Sequence, residues 1–597
     1  MYFQNYNPMG NVFLSTVIAT IPIVVLLYFI ALHPHRDAHG NRHLGIAAHW
    51  AALYGVIAAF AVSCVAFNMP VVSAVSAFSL GVFSGFLGIV WIILAAMLLY
   101  TMTVVSGKFE IVKESIVHIS FDRRLQCVLI AFSFGALIEG TSGFGTPVAI
   151  AGAVMVGLGF KPFQSAVLNL LANTAPVAWG AVGTPIVVLA ATSGLDQLTL
   201  SAMAGRQLVF VSLLVPFWLV AVFVKMEGGT WKEAFEIWPA TLTAGGSFAF
   251  MMYITSSSPE LHLMTNVLSG AFSLIITGLF LKFVWHPKKR FLLKSEREAM
   301  VKSGKSEDDF GVWTYPYTVK ETINAWIPWV ILVVCCALWG MPAWKSFLNT
   351  LFSGVSFKTT LLGSTFSGTM SLPVWEMPAL HNQVMRTAPV VKVAHPEAAR
   401  FVINWLSAAG TGVFIAAMLS GLALKLNVGQ WKEAFGGTAK RMVMPVVVIT
   451  LVLGLSYLTR YSGTDAVLGL AFTGAGFFYP FFAAYLGWLG VFLTGSDTAA
   501  NALFGSLQRI TANQLGLNEV LIVATNTTGG VMGKMIDAQS IMVACAACYD
   551  DPQEGTRALG PIFRQVFVFS IIGAAFVGVI AMLQAYVFPG MIPVLPH

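Results

Sequence analysis

Runs of about twenty apolar residues recur along almost the whole chain, the length a helix needs to cross the hydrocarbon core of a bilayer. They lie near 12–32, 44–66, 82–106, 163–194, 207–224, 241–256, 261–284, 326–340, 401–428, 442–460, 520–548 and 561–588. Two further apolar stretches, 125–160 and 477–511, turn polar at their centres and read as hairpins that enter the membrane and return. The expected fold class is an all-α polytopic membrane protein with about twelve transmembrane helices and two re-entrant hairpins. Composition agrees: 57% of the 597 residues are hydrophobic and 10% charged, against about 25% charged in a soluble domain.

The sharper of the two interruptions is GWLGVFLTGSDTAAN (487–501). It begins as a transmembrane helix and then crowds Thr494, Gly495, Ser496, Asp497, Thr498 and Asn501 together. An Asp at mid-depth costs roughly 2.5–3.5 kcal/mol on insertion scales. Non-helical backbone at that depth is tolerated only inside protein or along a wet cavity. The first hairpin, FGALIEGTSGFGTPVAI (134–150), repeats the design with Glu139 as its acid. Downstream of each tip an apolar segment is broken at its centre, at 169–186 and at 520–541. Both breaks carry Asn-Thr (Asn173-Thr174 and Asn526-Thr527) with a glycine further on, Gly180 and Gly533. Paired broken segments in two halves of a chain point to the binding site of a secondary transporter.

Such a site holds a small organic anion through backbone N–H groups at helix N-termini, hydroxyls, amides and a cation. The candidate substrate-binding residues are Gly140, Thr141, Ser142, Gly143, Asn173, Thr174, Thr494, Ser496, Asn501, Asn526, Thr527 and Lys534. Gly145, Gly529 and Gly530 also admit a close backbone approach. A single Ser or Thr has the alternative of bonding to its own helix. Asp497 and Glu139, one acid per tip, are the proton-coupling candidates, since intramembrane carboxyls mark proton relays. Lys534 has three prospective partners: Asp497, Asp537 one turn on, or a substrate carboxylate. Arg206, at a helix start, reads as a packing or interfacial residue.

Loop charge sets the orientation. The run 282–305 holds eight Lys/Arg against two acids, which places it in the cytoplasm. Counting crossings puts 33–43, 107–124, 225–240, 429–441 and 549–560 on that side and both termini outside. The first hairpin then enters from the cytoplasm and the second from outside, so the halves 82–256 and 401–588 are expected to be inverted repeats. Residues 107–124 read as an amphipathic surface helix. Residues 285–325 form a cytoplasmic loop, and 341–400 a periplasmic connection with interfacial helices around Trp344, Phe347 and Phe352. WKEAF, present at 231–235 and 431–435, reads as an interfacial anchor. The start, MYFQNYNPMGN, lacks the basic region of a cleaved signal, so the first apolar span is expected to remain.

Several function classes are set aside. Basic residues are scattered over short loops, so the net charge of +7 reflects membrane topology rather than nucleic-acid binding. Without a Walker A, Ser-His-Asp or H-E-x-x-H pattern, neither an ATP-driven pump nor an enzyme is expected, and tips arranged around a central site favour alternating access over a channel. The segment HPHRDAHGNRH (33–43), with His49 beyond it, lacks acids or cysteines at ligand spacing and reads as a solvated loop. No metal and no cofactor are expected. The six cysteines, including the pair Cys545 and Cys548, read as buried free thiols in apolar helices.

The strings IEGTSGFGTPVAI, ANTAPVAWGAVGTPI, GRQL, GWLGVFLTGSDTAANALF and NTTGGVMGKMI resemble those of the bacterial lactate permeases, which also carry glycolate. The likeness runs from NYNPMGN to LQAYVF. It implies import of L-lactate, D-lactate and glycolate with protons across the bacterial inner (plasma) membrane, and by analogy an elevator-like ion-transporter fold. The partners implied are a small 2-hydroxy monocarboxylate, protons and membrane lipid, with a homo-oligomer as a further expectation. A sodium-coupled or exchange transporter of another small organic anion is the alternative. One departure stands out: after GKMI the family reads Ser-Pro-Gln-Ser, whereas this chain has Asp537-Ala538-Gln539-Ser540. The missing proline and extra acid leave the substrate preference of that half-site open.

Overall fold

Nine helices among the described residues are long and apolar enough to cross a bilayer, or ten if the bent pair Pro162–Ala172 and Val177–Ser193 is one span. This computed structural model describes every residue except 30–32, 37–41, 45, 47, 144, 304–313, 392 and 595–597. The count falls below the expected twelve for a physical reason. Ala409–Ala423 has 15 residues, and at about 1.5 Å per residue it does not reach the ~30 Å of a hydrocarbon core. The 520–548 run divides into Glu519–Gly533 and Ala538–Cys548. Conversely Arg123–Ser142, the first arm of the first hairpin, passes the length test.

The all-α expectation is corrected to mostly helical. The connection 341–400 holds one helix, Pro342–Thr350, but then forms strands. Ser356–Leu361 and Ser364–Thr369 pair antiparallel around Leu362 and Gly363, whose φ values of 49° and 78° are those of a two-residue hairpin turn with both central residues left-handed. Leu372–Glu376 and Arg400–Val402 complete a four-stranded sheet. Tyr2–Phe3 pairs parallel to Val384–Arg386, fastening the N-terminal segment to this layer.

The two halves repeat one helix order. Arg123–Ser142, Thr146–Gly157, Pro162–Ala172, Gly180–Ser193 and Gln197–Met226 are matched by Tyr479–Thr494, Asp497–Gln514, Glu519–Gly533, Ala538–Cys548 and Pro552–Tyr586. Their packing is crosswise. The returning arm Thr146–Gly157 lies against Ala538–Cys548, and the returning arm Asp497–Gln514 lies against Gly180–Ser193. Outside this core Trp91–Val105 packs on Ala409–Ala423, and Val71–Gly85 on Val428–Ser462.

At the foot of the first hairpin, Lys108–Val117 is a surface helix with Phe109, Ile111, Val112, Ile116 and Val117 buried beneath it. The basic 285–325 loop docks beside it. Phe291 N donates to Asp122 Oδ2 at 3.0 Å, Arg123 pairs with Glu296, and the buried Arg124 joins Asp122 (2.8 Å) to Glu236 (2.9 Å). The rest of that loop, 304–313, and residues 37–41 of the histidine-rich segment lie outside the described residues. Among the described residues no group of His, Cys, Asp and Glu is placed to hold a metal. All six cysteines are free.

Candidate functional site

Each hairpin tip is built by a helix that ends on glycine. Tyr479–Thr494 stops at Gly495 (φ 72°), and Ser496 caps the return helix by accepting from Ala499 N at 3.3 Å. Gly135–Ser142 stops at Gly143 (φ 61°), and Gly145 (φ 78°) begins the return. Positive φ is nearly free for glycine and costly for other residues, so these positions fix the turns. The breaks use different means. In the first, Ala181, Val182 and Gly183 all have positive φ (44°, 56° and 70°), a conformation that strains a β-branched Val by about 1–3 kcal/mol. In the second, Asp537 N-caps the distal half by accepting from Ser540 N at 2.7 Å. Asp is among the favoured N-cap residues, so Asp537 starts the distal half without a proline.

The tips and breaks meet in the interior. Glu139 and Asp497 are each 3% exposed. A Cβ on Gly180 would collide with Glu139 Oε1, and one on Gly530 would collide with Asp497 Oδ1. Each acid therefore lies against a glycine of the broken segment in its own half. Lys534, 5% exposed, donates to the Gly495 carbonyl at 2.6 Å and pairs with Asp537 at 3.0 Å. Of its three prospective partners the structure gives it Asp537, while its charge remains in electrostatic range of both Glu139 and Asp497.

The polar neighbours differ between halves. Asp497 Oδ2 accepts from Thr527 Oγ1 and, at 3.5 Å, from Asn501 Nδ2. Asn501 also donates to the Pro185 carbonyl (3.1 Å) and Thr527 Oγ1 (3.0 Å). Asn526 donates to Asn501 Oδ1 at 2.9 Å and accepts from Gln508 at 3.2 Å, and Gln508 in turn accepts from Tyr479 at 2.7 Å. In the first half Asn173 faces Glu139, yet neither amide atom completes a hydrogen bond, and Glu139 Oε2 and Asp497 Oδ1 are also unpartnered. The hydroxyls of Thr141, Ser142, Thr174 and Thr494 donate to carbonyls of their own helices (2.9, 2.9, 2.8 and 2.8 Å). Gly140 packs under Val267 and Asn266. Arg206 reaches the Met591 carbonyl at 2.6 Å, a packing contact at the end of the chain's last long helix.

Sequence reading overlooked Gln508, Asn266 and Gln207. Asn266 donates to the Pro176 carbonyl inside the first break. Gln207 donates to Thr525 (2.9 Å) and accepts from Thr528 (2.5 Å). The available signal was a lone amide inside an otherwise apolar span, which has to find a partner when buried.

An interior cluster of carboxyls, an ammonium and amides, set between paired hairpins and broken helices, defines a membrane transporter rather than an enzyme. The family described as L-lactate permease matches residues 15–588, and this chain belongs to it. The glycolate permease GlcA of Escherichia coli is 43% identical over 99% of both chains. The L-lactate permease of the same organism is 40% identical over 99% of this chain and all of its own. Among solved structures, Neisseria gonorrhoeae MtrF aligns over 97% of this chain and 95% of its own, at 12% identity and a TM-score of 0.42.

Proposed function

We propose that this chain imports L-lactate, D-lactate and glycolate by proton symport across the bacterial inner membrane. The observation that carries the reading is the charge balance of the buried cluster. Glu139, Asp497 and Asp537 share one ammonium, Lys534, and the close Lys534–Asp537 pair leaves the other two carboxyls without a contact ion pair of their own. An arriving monocarboxylate adds a further negative charge, which favours protons on Glu139 or Asp497. A monovalent anion entering a negative-inside cell is opposed by about 2.3 kcal/mol per 100 mV, and one proton removes that opposition. The unpartnered Asn173 amide supplies a donor and an acceptor for the carboxylate and 2-hydroxyl. The substrates named for the relatives, glycolate and L-lactate, fit this chemistry.

In this reading the crosswise halves are inverted repeats entered from opposite sides. The hairpins and broken helices move as an elevator against the helices at 71–105 and 409–462. The 285–325 loop faces the cytoplasm and the 341–400 layer the periplasm. The test is lactate-driven proton uptake in proteoliposomes. Asp497→Asn is expected to abolish it while leaving lactate exchange. If that variant takes up protons at the wild-type rate, Glu139 is the carrier, and Glu139→Gln should then abolish uptake. Wild-type uptake that requires sodium and moves no protons would sink the symport reading.

A further inference from the structure

A cavity of about 380 Å³ opens where the second hairpin joins its broken helix. Arg386, His395, Glu397, Arg460, Arg509 and Glu519 are among its lining residues. Its size is at the lower end for small-molecule pockets. It is distinct from the interior cluster: Asp497 and Arg509 stand on one helix, twelve residues and therefore about 18 Å apart along its axis.

The ion pairs at this cavity are unequal. Glu397 is held by two arginines, Arg386 at 2.7 Å and Arg460 at 2.8 Å. Burial opposes its ionisation, but Arg460 and Arg386 outweigh that and hold its carboxyl below the usual range. Arg509 pairs with Glu519 at 2.6 Å and donates to the Ser193 carbonyl at 2.7 Å. At the cavity wall three guanidinium groups thus face two carboxylates, with the buried Asp465 behind them in electrostatic range of Arg386 and Arg460. Among the described residues, no acceptor takes Nη1 of Arg386 or Nη2 of Arg509. Arginine presents its N–H groups in a planar fork matched to a carboxylate, and a concave, net-positive site concentrates anions at its mouth.

We propose that this cavity is a vestibular binding site for the transported monocarboxylate, loaded before the anion passes to the interior cluster. The proposal rests on the transport reading above. The measurement is the KM and maximal rate of lactate uptake by oriented proteoliposomes whose 341–400 layer faces the added substrate, at low and at high KCl. Arg386→Gln lowers the cavity's positive charge and is expected to raise KM about three- to tenfold at low salt. Glu397→Gln raises the charge and is expected to lower KM. Both should converge on wild type at high salt, because screening shortens to about 3 Å at 1 M. Unchanged KM for both at low salt, or shifts in one direction that salt leaves untouched, would overturn the vestibule. If either clamp variant fails to fold, Glu519→Gln decides alone: it frees Arg509 at the rim, so a lower KM at low salt supports the site and an unchanged KM refutes it. Absence of uptake by the wild-type protein would instead refute the transport reading.

Discussion

The two half-sites share a plan and differ in how finished they are. Around Asp497, the polar groups Thr527, Asn501, Asn526, Gln508 and Tyr479 are joined in one continuous hydrogen-bonded chain. Around Glu139, the Asn173 amide faces the carboxyl without completing a hydrogen bond, while one oxygen of each acid, Glu139 Oε2 and Asp497 Oδ1, is left without a partner in both halves. Buried polar groups are nearly always bonded, and an unbonded one costs about 1–3 kcal/mol. The amides of the second half therefore hold shape, and the Asn173 amide of the first holds unmet bonding capacity that a ligand can satisfy. The same asymmetry separates the breaks, one stabilised by the Asp537 cap and the Lys534 pair, the other kept in left-handed backbone at Ala181–Gly183.

The largest effect expected from this contrast is at Lys534. Removing one partner of a buried ion pair costs about 3–5 kcal/mol, because the other charge is left unpaired. Lys534→Met should markedly lower the melting temperature in detergent, and adding Asp537→Asn, which can still cap, should restore most of it. A single variant as stable as wild type would remove the claim that the second break is held by this pair.

Next come the two asparagines. Asn501→Ala strips donors or acceptors from the Pro185 carbonyl, Thr527 and Asn526, and should destabilise the fold by about 1–3 kcal/mol. Asn526→Ala, which sequence alone assigned to the ligand, should behave the same way. Asn173→Ala should do the reverse, leaving the melting temperature near wild type while weakening lactate binding by about 1–3 kcal/mol. Calorimetric binding and thermal unfolding on the three variants check the exchange of roles. Equal losses of affinity in all three, with no change in melting, would make the half-sites equivalent.

Much of this architecture was legible in the chain because the membrane makes polarity conspicuous. A carboxyl or an Asn-Thr pair inside an apolar run has few harmless explanations, so both tips and both breaks, and the possible Lys534–Asp537 pairing, could be located by inspection. The partners of Asn501 and Gln207 could not. Pro185 and Thr525 lie more than 300 residues away from them, at separations of 316 and 318, and hydropathy windows carry no information over that distance. The strands at 356–402 were missed for a related reason. Outside the apolar spans the pattern SFKTTLLGSTFSGT alternates weakly, and its hairpin depends on the backbone conformation of Leu362 and Gly363 rather than on hydrophobicity. Helix count erred where an apolar run continues past the ends of its helix, as at 401–428 around Ala409–Ala423.

The smallest effect sharpens the contrast within the first half itself. Ser142 stands at the tip beside Glu139 and was expected to contact substrate, yet its hydroxyl donates to the Ile138 carbonyl at 2.9 Å. That carbonyl belongs to the same helix, and such local bonds add little stability and can bend the helix. With the proton committed, only the oxygen lone pairs remain; a carboxylate, itself an acceptor, gains nothing from them, and in the reading above the 2-hydroxyl donates to the Asn173 amide oxygen instead. Alanine also has the better helix propensity, by about 0.5 kcal/mol. Ser142→Ala should therefore leave lactate affinity within about 0.5 kcal/mol of wild type, the range of substitutions that remove no essential partner. Equilibrium binding in detergent measures this directly. A tenfold loss of affinity would mean that the hydroxyl turns from Ile138 to the ligand, and would move the contact from the Asn173 amide to the hairpin tip.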